Sequence, residues 1–321
     1  MAANEQTSTL EMREAFGRAL VDLGRREPRI RVLDADLCTS TKASLFRDQF
    51  PARFIQLGIA EQNLFGVAAG LALEGFIPFP CTFASFAARR ALDQLAISIC
   101  YAGLNVKVPG SYPGLPTSRA GASHNCIEDL AVMRALPNLR VADPGDNDEL
   151  AAIMHAAVET PGPVYFRVTR LTLPPLPGAS AEFRWGKGRI VRPGKDVSLF
   201  GTGMMTSLCL RAADALASES IEAEVVHLAS VKPIDRELIV ESAKRTGCAV
   251  TAENGTVLGG FGSAVIEVLA ELLPVPVHRI GVQDRWAESG GIDELFTHHH
   301  MQPADIARAA QDVMRLKAKR R

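Results

Sequence analysis

The chain has 321 residues, 47 % of them hydrophobic and 22 % charged, a composition that suits a globular protein of two ordinary domains with real cores. Its formal net charge of −1 gives no global field that would favour nucleic acid or an anionic membrane. Met1 to Thr9 is polar with no apolar signal region, and every apolar run falls short of the roughly 18–20 residues needed to span a bilayer. Cys38, Cys81, Cys100, Cys126, Cys209 and Cys248 are scattered without a CxxC pair, so the expected setting is a reducing cytoplasm.

In chain order, Leu10 to Leu23 reads as an amphipathic helix, and Ile30 to Leu33 and Arg53 to Leu57 as strands. A small-residue helix opens at Glu61. A strand near Ile77 to Phe83, a helix from Phe86 to Cys100, a strand at Leu104 to Val108 and a Gly/Pro/Ser loop from Pro109 to Ser123 follow. Helices at Ile127 to Ala135 and Asp148 to Val158 alternate with strands at Leu139 to Ala142 and Val164 to Val168. This alternation predicts a mostly parallel sheet covered on both faces. Leu171 to Gly188 is rich in proline and has no period, which marks a boundary. Beyond it, Asp196 to Phe200, a helix to Ser218, and strands at Val225 to Leu228, Ala249 to Ala252 and Val277 to Ile280 read as a second, smaller unit. The expected organisation is α/β throughout: a first domain at 1–175, a linker at 176–190 and a second domain at 191–321, each a mostly parallel sheet flanked by helices.

Several motifs are weak when taken singly. Gly201-Thr202-Gly203 follows a strand but has Thr206 where a dinucleotide fingerprint needs its third glycine, and Gly259-Gly260-Phe261-Gly262 reads as a turn opening a closely packed helix. Zinc-type Cys/His spacing is absent. His298-His299-His300 reads as a polar surface run, because three consecutive histidines do not easily converge on one ion, and no metal ligand is expected in this chain. Glu61, alone, reads as a helix N-terminal carboxylate stabilised by the macrodipole. It also follows a β-type run and Gly58, at the kind of strand-to-helix crevice where open α/β sheets bind ligands. Phe83 and Phe86, three apart, could be core aromatics. Alone, His124 would be a structural histidine, Arg13 an exposed helix residue and Arg170 a boundary charge.

The order of segments is more specific. Asp34-Ala35-Asp36-Leu37-Cys38-Thr39-Ser40 precedes Gly58-Ile59-Ala60-Glu61-Gln62-Asn63, then Thr82-Phe83-Ala84-Ser85-Phe86, Asp93-Gln94 and Gly121-Ala122-Ser123-His124-Asn125. Arg134-Ala135-Leu136-Pro137-Asn138-Leu139 and Asp143-Pro144-Gly145-Asp146 come next. This series resembles the pyrimidine-binding domain of transketolases. Val231-Lys232-Pro233-Ile234-Asp235, Glu253-Asn254-Gly255 and Glu288-Ser289-Gly290 are similar to the transketolase C-terminal domain, so the resemblance covers nearly the whole chain.

The resemblance implies transfer of a two-carbon ketol unit through thiamine diphosphate. Glu61 would be the carboxyl that holds the cofactor's pyrimidine ring and shares a proton with it. Phe83 and Phe86 would wall the ring, and Asp36 and Leu37 would lie near the cofactor. His124 would face the substrate carbonyl and exchange protons with it. Arg13, Ser40 and Arg170 match positions that hold a sugar phosphate, a task for which guanidinium groups suit by charge-assisted bonds.

Two departures qualify this. The Gly-Asp-Gly and downstream asparagine that hold magnesium and the diphosphate in complete transketolases have no counterpart; Gly145-Asp146-Asn147 stands in the wrong context. The chain therefore reads as the C-terminal subunit of a split transketolase, with Mg2+ ligands on an N-terminal partner subunit, in a heterotetramer of two copies of each. In the substrate loop, Ala120 replaces a hydroxyl-reading aspartate, Tyr112 a phosphate-binding histidine, and Arg119 adds a cation. Loss of that carboxylate points away from ordinary aldose phosphates toward an unusual ketose, such as apulose 4-phosphate or a sulfonated ketose. The alternatives are the β-subunit of a 2-oxo-acid dehydrogenase and a non-catalytic assembly subunit.

Overall fold

The computed structural model describes residues 10–178 and 183–319; Met1 to Thr9, residues 179–182 of the expected linker, Arg320 and Arg321 lie outside the described residues. The first helix, α1 (Met12–Arg26), forms because Met12, Phe16, Leu20 and Leu23 recur every three or four residues and are buried together. Short helices α2 (Cys38–Thr41) and α3 (Ser44–Gln49), too brief to show a period in the sequence, are followed by α4 (Glu61–Leu73). Helices α5 (Asp129–Ala135) and α6 (Asn147–Glu159) complete the first half. In α6 the Asp146 carboxylate caps the first turn by accepting from Glu149 N at 2.9 Å.

The strands are β1 (Ile30–Asp34), β2 (Phe54–Gln56), β3 (Ile77–Phe83), β4 (Lys107–Ser111), β5 (Arg140–Ala142) and β6 (Val164–Val168). They run parallel in the spatial order β2-β1-β3-β4-β6-β5. β3, β4 and β6 are buried along their whole length, as strands covered on both faces should be. The chain steps outward from β1 to β2 and returns on the other side at β3, which puts a topological switch point between β1 and β3.

Two expectations shift here. The helix foreseen over Phe86 to Cys100 is two wide, π-type segments, Phe86–Arg90 and Gln94–Tyr101, with Ala91 N donating to Phe86 O across five residues at 3.0 Å. The strand foreseen at Leu104 to Val108 lies at Lys107–Ser111. Pro109 and Gly110 look like loop formers, yet Gly110 is needed in the strand because a Cβ there would meet Tyr165 Oη at 2.1 Å. The foreseen loop accordingly begins later and contains a short 3-10 helix, Leu115–Ala120.

The second half contributes β7 (Arg189–Arg192), β8 (Val197–Gly201), β9 (Ala223–His227), β10 (Ser230–Lys232), β11 (Ala249–Thr256) and β12 (Val277–Val282). Their sheet runs β12-β11-β8-β9-β7, parallel except for the antiparallel edge β7. Helices α7 (Met205–Ser218), α8 (Arg236–Thr246), α9 (Phe261–Leu272), α10 (Ile292–His298) and α11 (Pro303–Ala318) accompany it. β10 does not join this sheet. It pairs antiparallel with β5, Ser230 opposite Ala142 and Lys232 opposite Val141, and becomes the edge of the first sheet. Among the described residues no helix is long and apolar enough to cross a membrane.

Buried charges knit the first half and tie it to the second. Arg167, 1 % exposed, donates from Nε and Nη2 to Asp129 at 2.8 and 2.5 Å and from Nη1 to Asp143 at 3.2 Å, while Tyr165 Oη donates to Asp129 at 2.6 Å. Across the boundary, His227 joins Thr206 Oγ1 and Glu149 Oε2, each at 2.6 Å. The Gly201-Thr202-Gly203 turn packs against this cluster: a Cβ at Gly203, whose φ is +52°, would lie 2.5 Å from the Asp143 carboxylate. The turn is filled by protein and serves packing.

Glu253 accepts from Phe261 N and Gly262 N at 2.7 and 2.8 Å at the start of α9. A Cβ at Gly260 would meet its Oε2 at 2.0 Å, which explains the glycine-rich turn. Burial outweighs those bonds and pushes the Glu253 carboxyl up to about 7. A raised folded-state pKa contributes stability that is complete below the unfolded value, near 4.5, and lost as pH rises through about 7. Stability to urea is therefore expected to fall between pH 5 and pH 7 by about 2 kcal/mol from this group. Glu253→Gln should show a shallower slope over that range; equal slopes in both proteins would remove Glu253 as the cause.

Candidate active site

The turn from β2 into α4 fixes the central acid. Gly58 has φ of +70°, a left-handed conformation that glycine adopts without penalty, and the chain then enters α4 with Glu61 in its first turn. Glu61 is 1 % exposed, although it carries a carboxyl group. Its two oxygens accept from Arg90 Nη1 at 2.9 and 2.8 Å, and Arg90 is about half exposed. Such a carboxylate can hold a planar nitrogen heterocycle by its edge.

An aromatic file starts at the same place. The Arg90 guanidinium lies 4.7 Å from the Phe86 ring centroid, and Phe86 stacks on Phe83 at 5.7 Å with 23° between planes. Phe83 contacts Tyr112 at 4.5 Å. His124 meets Phe86 and Phe83 edge-on at 5.3 and 6.0 Å, and its Nδ1 lies 2.9 Å from Ser123 Oγ. The file ends in two cations. Arg13 Nη1 donates to Tyr112 Oη at 2.5 Å and to Ser40 O at 3.4 Å, and Arg170 sits 5.5 Å from the Tyr112 ring centroid. Arg13 Nε is also bonded to Glu11 Oε2 at 2.6 Å.

The topology explains this convergence. Asp36 and Leu37 follow β1, Phe83 ends β3, Tyr112 follows β4 and Arg170 comes two residues after β6, so neighbouring parallel strands deliver their carboxyl-end residues to one rim. Tyr112 N donates to Val168 O at 2.9 Å, which ties two of these ends together. The rim also carries buried polar atoms without a partner: Asp34 Oδ1, Thr82 Oγ1 and Ser111 Oγ. Leaving such atoms unsatisfied costs about 1–3 kcal/mol each, a burden usual where a polar ligand binds.

Of the residues singled out by sequence, Glu61, Phe83, Phe86, His124, Tyr112, Arg13, Ser40 and Arg170 form this continuous group. Asp36 is exposed, with φ of 62°, and engages Gln56 Oε1 through its backbone N–H at 3.1 Å. Leu37 N donates to Asp34 Oδ2 at 3.0 Å. Arg119 and Ala120 are exposed on the 3-10 helix, and the Arg119 carbonyl accepts from Ser289 Oγ at 2.6 Å. The structure adds Arg90 to this group, and beside it Asp34, which the sequence offered only as part of a motif centred on Asp36. Asp34 is fully buried, and burial raises its carboxyl above the ordinary range despite bonds from Gln56 and Leu37. The Asp34-Ala35-Asp36 segment signalled an acid; only strand phase tells which of its two aspartates faces inward.

The second half reaches into the rim. Asn254 Oδ1 accepts from Leu115 N at 3.0 Å, and Asn125 Nδ2 donates to Glu288 O at 3.1 Å, so the loop that carries His124 is clamped from below.

Comparison with known proteins agrees with this architecture. Residues 8–175 match the family model for the transketolase pyrimidine-binding domain, and residues 186–306 that for the transketolase C-terminal domain. The chain is 41 % identical, over 94 % of its own length and 94 % of the relative, to the 6-deoxy-6-sulfo-D-fructose transketolase subunit SqwH of Clostridium sp. (strain MSTE9). It is 32 % identical, over 94 % of the chain and 97 % of the relative, to one of the subunits of the apulose-4-phosphate transketolase of Phocaeicola vulgatus. Among solved structures, a split-gene transketolase described as an inactive β4 tetramer superposes with a TM-score of 0.90 at 49 % identity, covering 96 % of this chain and 99 % of that one.

Proposed function

Because this chain belongs to the transketolase family, we propose that it supplies the pyrimidine side of a thiamine diphosphate site and, with an N-terminal partner subunit, transfers a two-carbon ketol unit between sugars. The observation that carries this reading is the buried Glu61 carboxylate beside the stacked Phe83–Phe86 pair. These residues fit an aminopyrimidine: a carboxyl for its edge, an aromatic wall for its face, and unpaired polar atoms at the rim. They do not provide for a diphosphate or its Mg2+, since the sequence has no Gly-Asp-Gly motif. Those ligands are assigned to the partner. The β4 assembly of the solved relative, described as inactive, supports the need for a second kind of chain, and two copies of each subunit is the assembly we infer.

When bound, thiamine diphosphate supplies the carbon nucleophile that takes up the ketol unit. Glu61 holds a proton shared with the ring edge, and its burial keeps that proton from water. Arg90 balances the charge of Glu61 while the site is open. His124, between the aromatic wall and solvent, is placed to exchange a proton with a substrate hydroxyl or carbonyl oxygen. Arg13 and Arg170, spaced by Tyr112 and the Ser40 carbonyl, take the terminal anion of the sugar. Asp36 and Leu37 line the cofactor side, and Arg119 and Ala120 flank the acceptor.

The substrate we infer is a ketose bearing a phosphate or sulfonate. The two arginines support the anion, Ala120 offers no carboxylate to an acceptor hydroxyl, and the relatives are named for a sulfonated fructose and for apulose 4-phosphate. The dehydrogenase β-subunit and inert-subunit alternatives gain nothing from these relatives, which are named as transketolase subunits.

The test is titration of thiamine diphosphate and Mg2+ into this chain, into a partner that carries the Gly-Asp-Gly domain, and into the mixture. Tight binding and ketol transfer are expected for the mixture alone. Equally tight Mg2+-dependent binding by this chain without a partner would overturn the two-subunit reading.

A further inference from the structure

The three consecutive histidines behave differently from a surface run. α10 ends at His298, and His299 follows as the next residue of the same turn. His298 Nε2 lies 3.4 Å from Glu288 Oε1, and His299 Nε2 lies 3.2 Å from Glu288 Oε2. The three candidate ligand atoms are all within 4.8 Å of one another. His300 is exposed with φ of 54°, which takes it out of the helical run.

His299 makes the cluster more than a pairing of surface charges. Its side chain is fully buried, yet neither ring nitrogen makes an aligned hydrogen bond, so its contact with Glu288 is a matter of distance only. A buried imidazole with both nitrogens unpaired bears a desolvation cost, and a metal bond at Nε2, the nitrogen that faces Glu288, would remove that atom's share of it. Glu288 and His298 are each about half exposed, which leaves them room to close in and gives an ion a path from solvent.

We propose that Glu288, His298 and His299 form a binding site for a divalent transition metal ion, of which Zn2+ is the representative. Two imidazole nitrogens and one carboxylate form a donor set that suits Zn2+ and its neighbours and does not suit Mg2+ or Ca2+. With metal–ligand bonds of about 2.0–2.2 Å, ligand atoms of a tetrahedral ion stand roughly 3.3 Å apart; each histidine stands at about that distance from a different oxygen of Glu288, so a modest turn of the half-exposed carboxylate and of His298 closes the set round one ion. The fourth position opens to solvent. An ion there fastens Glu288 to the end of α10. The Glu288 carbonyl accepts from Asn125, and Ser289 Oγ donates to the Arg119 carbonyl, so the same clip steadies the loop that presents His124.

The experiment uses full-length untagged protein, stripped with chelator and titrated with Zn2+ against a chromophoric competitor, with Co2+ absorption as a second probe. One equivalent is expected to bind, undisturbed by millimolar Mg2+. Glu288→Gln and His298→Ala, both at half-exposed positions that the fold tolerates, should each weaken it at least about 100-fold, and His300→Ala should leave it unchanged. Hydrogen exchange across residues 118–126 is expected to slow when Zn2+ is added to the wild-type protein and not to Glu288→Gln. The proposal fails if the wild-type chain binds no Zn2+ in the micromolar range, or if either ligand variant binds it as tightly as wild type.

Discussion

Replacing Glu61 with alanine is expected to lower turnover of the assembled enzyme by about 10^2–10^4-fold, the range for loss of a positioned proton-transfer group. The carboxylate is buried at the mouth of α4, its oxygens are held by Arg90, and the Phe83–Phe86 stack stands beside it. Alanine removes the carboxylate from this end of the aromatic file and leaves Arg90 to turn to water, which its half-exposed position permits. Assembly should survive, because the helix keeps Leu64, Phe65, Ala68 and Ala69 in the core. Glu61→Gln separates two roles: it preserves shape and a hydrogen bond but cannot give up a proton, so it should remain nearly as inactive as the alanine variant. The kcat of each variant beside its size-exclusion profile provides the measurement. Turnover within threefold of wild type in an intact assembly would assign the proton to some other group.

The second large effect concerns stability. Arg167→Met should destabilise the chain by about 3–5 kcal/mol, the cost of leaving buried carboxylates without their cation. Asp129 and Asp143 both depend on Arg167, and burial already pushes Asp143 up to about 6. The double variant Asp129→Asn with Arg167→Met should recover part of the loss, because it removes one stranded charge. Urea unfolding of the three proteins checks this. A loss under about 1 kcal/mol for the single variant would mean that water, not Arg167, satisfies these carboxylates.

Much of this was legible in the sequence because it rests on local pattern. The strands Ile77–Phe83 and Val164–Val168, buried on both faces, and the small-residue helix opening at Glu61 show themselves through the composition of one short segment. Motif order pointed to the rim residues that stand just beyond parallel strands, Asp36, Leu37, Tyr112 and Arg170, while Arg13 reaches the rim from α1 and His124 from the loop after β4. What escaped depends on partners far apart in the chain. Arg90 is separated from Glu61 by 29 residues, and a widened helix turn changes which residue faces it. Gly110 looks like a loop residue until Tyr165 is seen against it. His298 and His299 gain meaning only when the Glu288 loop folds back on the end of α10.

The strand Ser230–Lys232 has a bearing on how this chain can be divided. It lends the last rung to a ladder built almost entirely from residues that precede the proline-rich boundary. A polypeptide that stops at that boundary would leave Arg140–Ala142 as an open edge, with its outward N–H and C=O groups free to recruit a like edge from another copy. The two family segments are thus separable in sequence but not in the ladder: the second half covers an edge that the first would otherwise expose beside β5.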